Sequence, residues 1–201
     1  MKMRDSIGCA VLLVATLAIP ANAAEPAKDA PKMTPDQQKM MEAYMKAATP
    51  GPEHALLGQM AGNWQMQITS YDTPTPQTAA GTAAMTLGLG GRVLVQNVTS
   101  VMNGQPYQGT GTEGYDNVSK KYWSIWNDNM STGPMISWGT CDASGACKYE
   151  GTANDAMTGK PAKFRMTMTP QGADKHTFVL FGAGPDGKEM KMMEIVYTRQ
   201  K

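Results

Sequence analysis

From Gly62 onwards the chain consists of short segments in which apolar and polar residues alternate, and this pattern constrains the fold more than any other feature. In the first segment Trp64, Met66 and Ile68 alternate with polar residues, which is the period of a half-buried strand. Dipeptides typical of tight hairpins separate the segments, and their spacing leaves no room for crossover helices. These dipeptides are Asn103-Gly104, Asp116-Asn117, Ser144-Gly145, Thr158-Gly159, Gln171-Gly172 and Asp186-Gly187. The pattern therefore predicts an antiparallel meander.

The alternation predicts about ten strands, the first of which begins at Gly62. The others are expected near residues 77–88, 91–101, 106–115, 120–128, 133–141, 147–154, 162–169, 174–182 and 188–199. A meander of this length closes most naturally into a barrel of the size that holds a ligand. The predicted fold class is therefore all-β, an antiparallel up-and-down β-barrel with an N-terminal helix. A two-sheet sandwich is the alternative.

Trp64 and Arg199 bracket the predicted strands. A closed barrel has to pair its first strand with its last, and an arginine on the last strand can stack on a tryptophan of the first. We therefore predict that these two residues form a structural clasp rather than a ligand-binding pair.

The first residues have the layout of a cleaved secretory signal. Lys2 and Arg4 precede an apolar stretch from Cys9 to Ile19, and Ala21-Asn22-Ala23 supplies the small residues expected before a cleavage site. The apolar stretch is shorter than the ~20 residues that span a bilayer, so no permanent membrane anchor is expected. We predict a signal peptide over residues 1–23 and a periplasmic location.

Between the predicted signal and the first strand lie a tether and a helical segment. Residues 24–33 are rich in Ala, Pro and charged residues, which is typical of a flexible tether. Residues 34–61 are predicted to be helical, because Thr34 and Gln37 have the spacing of a capping box. One face of the first helix carries Met41, Tyr44, Met45 and Ala48. We expect this helix to pack on the rest of the protein or to cover one end of the barrel, which is predicted over residues 62–201.

A second, shorter helical turn is expected over residues 53–60, where Leu56, Leu57 and Met60 supply apolar side chains. Its position directly before Trp64 suggests that it closes the floor of the barrel.

Charge gives no reason to expect a polyanionic partner. Removal of residues 1–23 leaves 16 of the 18 basic and 16 of the 17 acidic residues. A chain without net charge has no electrostatic attraction to nucleic acid or to an anionic membrane. We therefore predict no nucleic acid partner and no stable membrane insertion, and the sequence identifies no protein partner.

Cys141 and Cys147 lie between two predicted strands, separated by five residues. In an oxidising compartment this arrangement predicts a disulfide that closes the end of a hairpin. A thiol metal or redox site is the alternative, but such sites usually have a gap of two residues.

Gly62-Asn63-Trp64 with the terminal Arg199 is similar to the pattern of the calycin superfamily, which includes the lipocalins and fatty-acid-binding proteins. Three stretches are more specific. They are Pro52-Glu53-His54-Ala55-Leu56-Leu57 leading into Gly62-Asn63-Trp64, Gly114-Tyr115-Asp116-Asn117 through Trp126 to Gly133, and Asp186-Gly187-Lys188-Glu189 through Tyr197-Thr198-Arg199. Together they resemble a bacterial family of exported proteins known as DUF1579, a domain of unknown function. The resemblance implies a calycin-like barrel and carries over no activity, substrate or catalytic residue.

Several polar and aromatic residues share the faces of two neighbouring predicted strands. Tyr107, Glu113 and Tyr115 lie on one face of their strand, and Tyr122, Trp126 and Asp128 lie on one face of the next. We predict these six residues as candidate ligand-binding residues of the lumen, with ordinary core packing as the alternative. Small residues at 78–82 and 109–112 indicate a roomy, partly polar lumen, although glycines can also serve strand bending.

No catalytic motif is present in the sequence. The chain lacks a zinc-protease helix, a nucleophile elbow and a phosphate loop, and its two histidines, His54 and His176, are far apart. Carboxylate pairs such as Glu113 with Asp128 and Glu150 with Asp155 would do acid–base chemistry only if they faced each other across the lumen. We therefore predict a protein that is not an enzyme and that has no catalytic residues, metal site or cofactor.

A copper or haem binder is a minor alternative. His54 is the better of the two histidines as a haem ligand because it begins a short helix near the predicted floor, although a structural hydrogen bond is favoured for it. The chain contains 18 methionines, and those of the pairs Met166 with Met168 and Met190 with Met192 stand two residues apart on predicted strands. Such pairs offer thioether ligands to Cu(I), but methionine more often fills irregular apolar space.

The predicted function is that of a periplasmic barrel that binds a small, partly apolar or lipid-like ligand in its lumen. The alternative is a non-catalytic structural or protein-interaction module of the envelope, which acts through exposed strand edges or through the helix. The interior distinguishes the two, because a carrier leaves an enclosed cavity of a few hundred Å³. A packed module would fill the lumen with Tyr122, Trp126, Phe164, Met166 and Phe178.

Overall fold

The computed structural model describes residues 33–102 and 104–201. Within these ranges the chain forms helices α1 (Pro35–Ala48) and α2 (Pro52–Gly58), followed by ten strands. The strands are β1 (Gly62–Ser70), β2 (Gln77–Gly88), β3 (Val93–Met102), β4 (Gln105–Asp116), β5 (Lys121–Asp128), β6 (Met135–Cys141), β7 (Cys147–Asp155), β8 (Lys160–Pro170), β9 (Lys175–Ala183) and β10 (Glu189–Arg199). The predicted signal peptide, residues 24–32 of the predicted tether and Asn103 lie outside the described residues.

All ten strands belong to one closed antiparallel barrel in which each strand pairs with its neighbours in the chain and β1 pairs with β10. The prediction of a ten-stranded up-and-down barrel is confirmed, and the sandwich alternative is wrong. The observed strand bounds differ from the predicted ones by at most two residues. The agreement is close because period-two alternation and turn chemistry are both local properties of the sequence.

Alternation along each strand separates the interior of the barrel from its surface. In β1, Trp64, Met66 and Ile68 are buried, whereas Gln65 and Gln67 are exposed. The same parity on the other strands produces one buried cluster inside the barrel. This cluster consists of Leu57, Trp64, Met66, Ile68, Ala83, Met85, Leu94, Val98, Tyr122, Cys147, Tyr149, Ile195 and Tyr197.

Trp64 and Arg199 lie directly opposite each other in the β1–β10 ladder. The Arg199 guanidinium stands over the Trp64 ring at 4.1 Å from the ring centroid. It also donates hydrogen bonds to the carbonyl oxygens of Ala61, at 2.6 Å, and Gln59, at 2.8 Å, and pairs with Asp174 at 3.1 Å. Arg199 therefore ties the last strand both to the first strand and to the segment that precedes it.

The floor of the barrel is formed by α2. Leu57 of α2 is buried, and the helix contacts β2, β3 and β4. Side chains from the barrel wall hold the floor in place, since the Tyr122 hydroxyl donates to the Glu53 carbonyl at 3.1 Å and Trp64 Nε1 donates to the Met60 carbonyl at 2.9 Å. The expected short helix over residues 53–60 is thus present with slightly different bounds.

Helix α1 has the predicted capping box but not the predicted packing. Thr34 and Gln37 exchange hydrogen bonds at the helix start, yet α1 contains no buried residue. Its side chains on the expected apolar face are exposed, including Met41, Tyr44 and Met45. The expectation that this helix packs on the protein or covers one end of the barrel is therefore wrong for the described residues. The physical reason is that α2 already closes that end.

Only the C-terminal end of α1 is attached to the barrel. Arg92 donates to the Ala48 carbonyl at 2.7 and 3.0 Å, and Asn117 donates to the carbonyls of Ala47 and Thr49 at 2.9 and 2.8 Å. These bonds satisfy carbonyl groups that a helix terminus leaves without partners.

Among the described residues, no helix has the length and apolar character needed to span a bilayer.

The predicted disulfide is confirmed. Cys141 and Cys147 are bonded and stand opposite each other at the ends of β6 and β7, with a Cα–Cα distance of 4.0 Å. The turn between them is further stabilised by Asp142, whose carboxylate accepts hydrogen bonds from the backbone N–H groups of Ser144 and Ala146. Gly145 adopts a positive φ of 82° in this turn, a conformation that glycine adopts without strain.

Replacing both cysteines with serine is expected to lower the free energy of unfolding by about 2 kcal/mol, because a short covalent loop would no longer restrict the unfolded chain. Urea titration followed by circular dichroism measures this change. Reduction of the wild-type protein serves as the control and should give a similar loss, whereas an unchanged unfolding midpoint in the double variant would contradict the expectation.

Candidate functional site

Two cavities lie inside the barrel. The floor cavity, of about 300 Å³, lies above α2 and is lined by Leu56, Leu57, Tyr122 and Tyr149 together with the Cys141–Cys147 end of β6 and β7. The lumen cavity, of about 170 Å³, lies further along the barrel. Both are lined by Met60, Glu113, Met168 and His176, so they adjoin at these four residues. The floor cavity has the size of the smaller known ligand sites.

Methionine dominates the wall of the lumen cavity. Its methionines are Met60, Met66, Met85, Met102, Met135, Met166, Met168 and Met193. Aliphatic and aromatic residues complete the apolar wall, among them Leu94, Val98 and Ile195. Because methionine is unbranched and polarisable, such a wall adapts to apolar molecules of different shape.

The large side chains of the barrel interior do not fill it. Trp126, Phe164, Met166 and Phe178 line the lumen cavity, and Tyr122 lines the floor cavity. These side chains therefore leave unfilled space in the described part of the barrel.

The structure brings five of the six candidate lumen residues to the cavities. Tyr107, Glu113, Trp126 and Asp128 line the lumen cavity, and Glu113 and Tyr122 line the floor cavity. Tyr115 lines neither of them. Its ring lies between the rings of His54, at 5.7 Å, and Tyr122, at 4.9 Å.

Asp128 is the centre of a hydrogen-bonded group at the wall of the lumen cavity. Its carboxylate accepts hydrogen bonds from the Tyr107 hydroxyl at 3.0 Å, from Trp126 Nε1 at 3.1 Å and from the Met130 backbone N–H at 3.0 Å. Burial and the charge of Asp128 raise the pKa of Tyr107 far above its usual range. Asp128 therefore has protein partners and Tyr107 stays neutral.

The glycines of β4 do not widen the lumen as expected. The Trp126 ring lies against Gly109 and Gly111, where a Cβ atom would overlap it. The space that the missing side chains leave is thus occupied by an indole from β5. These glycines place Trp126 flat against the wall, within reach of Asp128.

Glu113 has no hydrogen-bond partner among the described residues. Its carboxyl group lies inside the barrel and keeps some accessible surface because it borders both cavities. Burial raises the pKa of Glu113 to about 7, since the interior disfavours the charged form. Glu113 is thus an ionisable group that faces empty space at the junction of the cavities.

His176 is the functional candidate that the sequence reasoning missed. It is 3% exposed, it lines both cavities, and neither ring nitrogen has a hydrogen-bond partner in the described part of the chain. Its ring stacks on Tyr197 at 4.4 Å and meets the Trp64 ring edge-on at 4.6 Å. Burial and then the positive charge of Arg199 lower the pKa of His176 to about 4, so the ring is neutral at neutral pH.

One signal in the sequence would have found His176. It shares its strand parity with Phe178 and Leu180, which predicts that it faces the interior, and in the structure all three line the lumen cavity. The structural hydrogen bond that is favoured for His54 is confirmed. His54 lines neither cavity, and its Nδ1 atom accepts a hydrogen bond from the Gly51 backbone N–H at 3.1 Å, which caps the start of α2.

The two methionine pairs do not gather at one point. Met166 and Met168 line the lumen cavity, but Met190 and Met192 line neither cavity. Instead they lie against Gly184 and Gly182, next to a register shift in the β9–β10 ladder between Lys191 and Met193. Within the described residues, no three His, Cys, Asp or Glu side chains are placed to hold a metal ion together.

The two carboxylate pairs differ in their surroundings. Glu113 and Asp128 both line the lumen cavity. Glu150 is exposed on β7, and Asp155 accepts hydrogen bonds within the β7–β8 turn, from the Met157 backbone N–H at 2.8 Å and the Thr158 hydroxyl at 3.0 Å. The second pair therefore does not face the lumen.

Comparison with solved structures gives one match that shows the same fold. The crystal structure of Rv2717c from M. tuberculosis matches with a TM-score of 0.58 and 17% identity, over 76% of this chain and 100% of that one. A redesigned β-barrel matches with a TM-score of 0.37 and 15% identity, over 77% of this chain and 100% of that one. No curated protein sequence matches the chain.

The model of one protein family matches residues 49–199, which include α2 and all ten strands. This agrees with the resemblance carried by the three sequence stretches described above. The chain therefore belongs to the family described as protein of unknown function (DUF1579).

Proposed function

We propose that this protein is a periplasmic carrier that binds a small, partly apolar or lipid-like molecule inside its barrel. The observation that supports the proposal most is the pair of adjoining cavities, of about 300 and 170 Å³, with a wall of methionine and aromatic side chains. Sites for small molecules are typically apolar cavities with a few convergent polar groups. Here Glu113, on both cavities, is such a polar group.

The proposed location rests on two observations. The first 23 residues have the layout of a cleaved signal peptide, and Cys141 and Cys147 form a disulfide. Disulfides persist in oxidising compartments such as the bacterial periplasm.

Native mass spectrometry of protein isolated gently from periplasm, compared with protein refolded from denaturant, tests the proposal. We expect an additional mass on the isolated protein that is lost on refolding and that identifies the class of ligand. A haem or copper ligand would be identified in the same spectrum. Isolated protein with the bare polypeptide mass would contradict the proposal.

A cavity-filling variant tests where the ligand binds. Ser124 lines the lumen cavity, so Ser124→Phe should reduce binding of the neutral fluorescent probe 1-N-phenylnaphthylamine at least tenfold. Thr86→Phe, which adds the same ring at an exposed position of β2, is the control and should bind the probe as the wild type does. Thermal unfolding of both variants establishes that they are folded, and equal binding by both would contradict a site in the lumen.

The second candidate function is a non-catalytic interaction module of the envelope. Helix α1 favours it, because its apolar side chains are exposed and no residue of the helix is buried. Strand edges do not favour it, since every strand of the described barrel is paired on both sides. A bare polypeptide mass in both samples, two hydrogens light because of the disulfide, is the result that this candidate predicts.

A further inference from the structure

The polar groups inside the barrel indicate which kind of ligand the proposed carrier would take. Glu113 and His176 both border both cavities, on β4 and β9 respectively. Neither side chain has a hydrogen-bond partner among the described residues, and only 3% of the surface of His176 is exposed. Polar groups without partners are rare inside folded proteins, and Glu113 keeps accessible surface toward the cavities, so a ligand that supplies hydrogen bonds to its carboxyl group would be favoured.

The charged groups around this junction disfavour an anionic head group where Glu113 is ionised. No lysine or arginine of the described residues lines the lumen cavity, which contains the carboxyl groups of Glu113 and Asp128. The basic residues of the floor cavity are Lys175 and Arg199. Lys175 is exposed, and Arg199 is paired with Asp174 and with three carbonyl oxygens, those of Gln59, Ala61 and Ala173. A ligand carboxylate beside Glu113 would therefore meet like charge without a cation to compensate it.

The same surroundings favour a cation. Four aromatic residues line the cavities, namely Tyr122, Trp126, Tyr149 and Tyr197. Aromatic faces attract ammonium groups, and a carboxylate next to them supplies the counter-charge. The ring of His176 is neutral and adds no charge here, and its two ring nitrogens have almost no accessible surface.

On these grounds, and resting on the proposed function, we propose that the barrel binds an amine-bearing amphiphile whose ammonium group pairs with Glu113 where the two cavities adjoin and whose apolar part lies among the methionines. A primary or secondary amine fits better than a quaternary one, because the junction offers hydrogen-bond acceptors that need N–H donors.

Binding of such a ligand is coupled to the ionisation of Glu113. Tyr149 and Tyr197 feel the charge of Glu113, Tyr122 and His176 line the floor cavity with it, and between pH 5.5 and 8 all four are neutral. The charged residues on the two cavities are Asp128, Lys175 and Arg199, of which Asp128 and Arg199 have hydrogen-bond partners and Lys175 is exposed. Glu113 itself has a pKa of about 7, and an alkylammonium group stays protonated throughout this range. The ammonium pairs with the ionised carboxylate, so Glu113 releases its proton to solvent on binding at low pH. Affinity should therefore be about 30-fold weaker at pH 5.5 than at pH 8.

Three probes with the same eight-carbon chain test the proposal by isothermal titration calorimetry: n-octylamine, n-octanol and octanoate. At pH 8 we expect octylamine to bind at least tenfold more tightly than octanol, and octanoate to bind more weakly than both. Octylamine should lose about 30-fold in affinity at pH 5.5, whereas octanol should lose little. Comparable affinities for octylamine and octanol would overturn the amine preference.

Glu113→Gln keeps the size of the side chain and removes its charge. In this variant octylamine should bind no more tightly than octanol, and its pH dependence should disappear, while octanol binding is kept. Glu150→Gln, which removes an exposed carboxylate from the outer side of β7, is the matched control and should bind all three probes as the wild type does. An unchanged preference for octylamine in Glu113→Gln would overturn the role of Glu113.

The two proposals fail in different ways. If octanol and octanoate bind in the lumen as tightly as octylamine, the carrier function stands and the amine preference is wrong. If none of the probes binds and 1-N-phenylnaphthylamine does not bind either, both proposals are wrong.

Shifts of the NMR signals of the methionine methyl groups distinguish binding in the lumen from binding at the surface. Met60 and Met168 border both cavities, whereas Met41 and Met45 lie exposed on α1.

Discussion

Replacing Trp64 with alanine is expected to lower the free energy of unfolding by about 4 kcal/mol, the largest single loss that we expect in this protein. Trp64 is 1% exposed and is one of the largest fully buried side chains. Its ring carries the Arg199 guanidinium on its face and contacts His176, and its Nε1 atom holds the Met60 carbonyl. The alanine variant loses all three contacts and enlarges the floor cavity, which Trp64 lines.

Urea titration followed by circular dichroism measures this loss, and two variants serve as controls. Trp138→Ala removes an indole that is 46% exposed on the outside of β6, so it should change the unfolding free energy by less than about 1 kcal/mol. Trp64→Phe keeps a ring under Arg199 and should lose clearly less than the alanine variant. A loss below about 1.5 kcal/mol for Trp64→Ala would show that the clasp is not a main source of stability.

A double-mutant cycle with Arg199→Ala isolates the stacking itself. Because the two side chains are in contact, their effects should not add, and a coupling of about 1 kcal/mol is expected. Additive losses would mean that Arg199 acts only through its other contacts, the hydrogen bonds to Gln59, Ala61 and Ala173 and the ion pair with Asp174.

The second large effect is a change in how stability depends on pH when Glu113 or His176 is replaced. The folded-state pKa of Glu113 is raised to about 7 from its ordinary value of 4.5, so the folded protein keeps this proton where the unfolded chain loses it. The resulting stability is present below pH 4.5 and is lost as the pH rises to 7, by up to about 3 kcal/mol.

His176 acts in the opposite direction. Its folded-state pKa is lowered to about 4 from 6.5. Between these two pH values the unfolded chain is protonated at His176, whereas the folded protein is not. The resulting stability is present above pH 6.5 and is lost as the pH falls to 4, by up to about 3 kcal/mol. In the wild type the two contributions therefore nearly cancel between pH 4.5 and 6.5.

Removing either group should expose the contribution of the other. In Glu113→Gln, stability should rise with pH between 4 and 6.5, and in His176→Phe, which keeps an aromatic ring against Tyr197, it should fall between 4.5 and 7. Urea titrations across this range measure both slopes. Asp116, Asp142, Asp155 and Glu189, whose pKa values are lowered, are the same in every variant and do not affect the comparison.

Glu150→Gln is the control for charge removal and should follow the wild-type profile. Parallel profiles for the wild type, Glu113→Gln and His176→Phe would contradict the assignment of both groups to the barrel interior.

The fold could be predicted from the sequence because its determinants are local. Strand parity and turn dipeptides gave ten strands whose bounds are within two residues of those observed. Parity also predicted which side chains of β4 and β5 face inward, and five of the six candidates border the cavities. Parity is lost at a bulge, however, and the register shift between Lys191 and Met193 could not be seen in the sequence.

The rest of the site depends on contacts between strands that are far apart in the chain. Gly109 and Gly111 seemed to leave space, but an indole from β5 occupies it. The solvation of Glu113 and His176 depends on which neighbours border them across the barrel, and a single sequence does not contain that information. For the same reason, the apolar residues of α1 predicted a packing partner that the described residues do not supply.

The pairing of β1 with β10 also has a consequence for how the chain folds. Trp64 and Arg199 are neighbours in space although almost the whole barrel lies between them in sequence. Contacts of such high sequence separation form late and make folding slow. During synthesis β1 cannot pair with β10 until β10 has left the ribosome. The barrel therefore stays open until this strand has been made, and up to that point the chain is accessible to chaperones or to an export machinery.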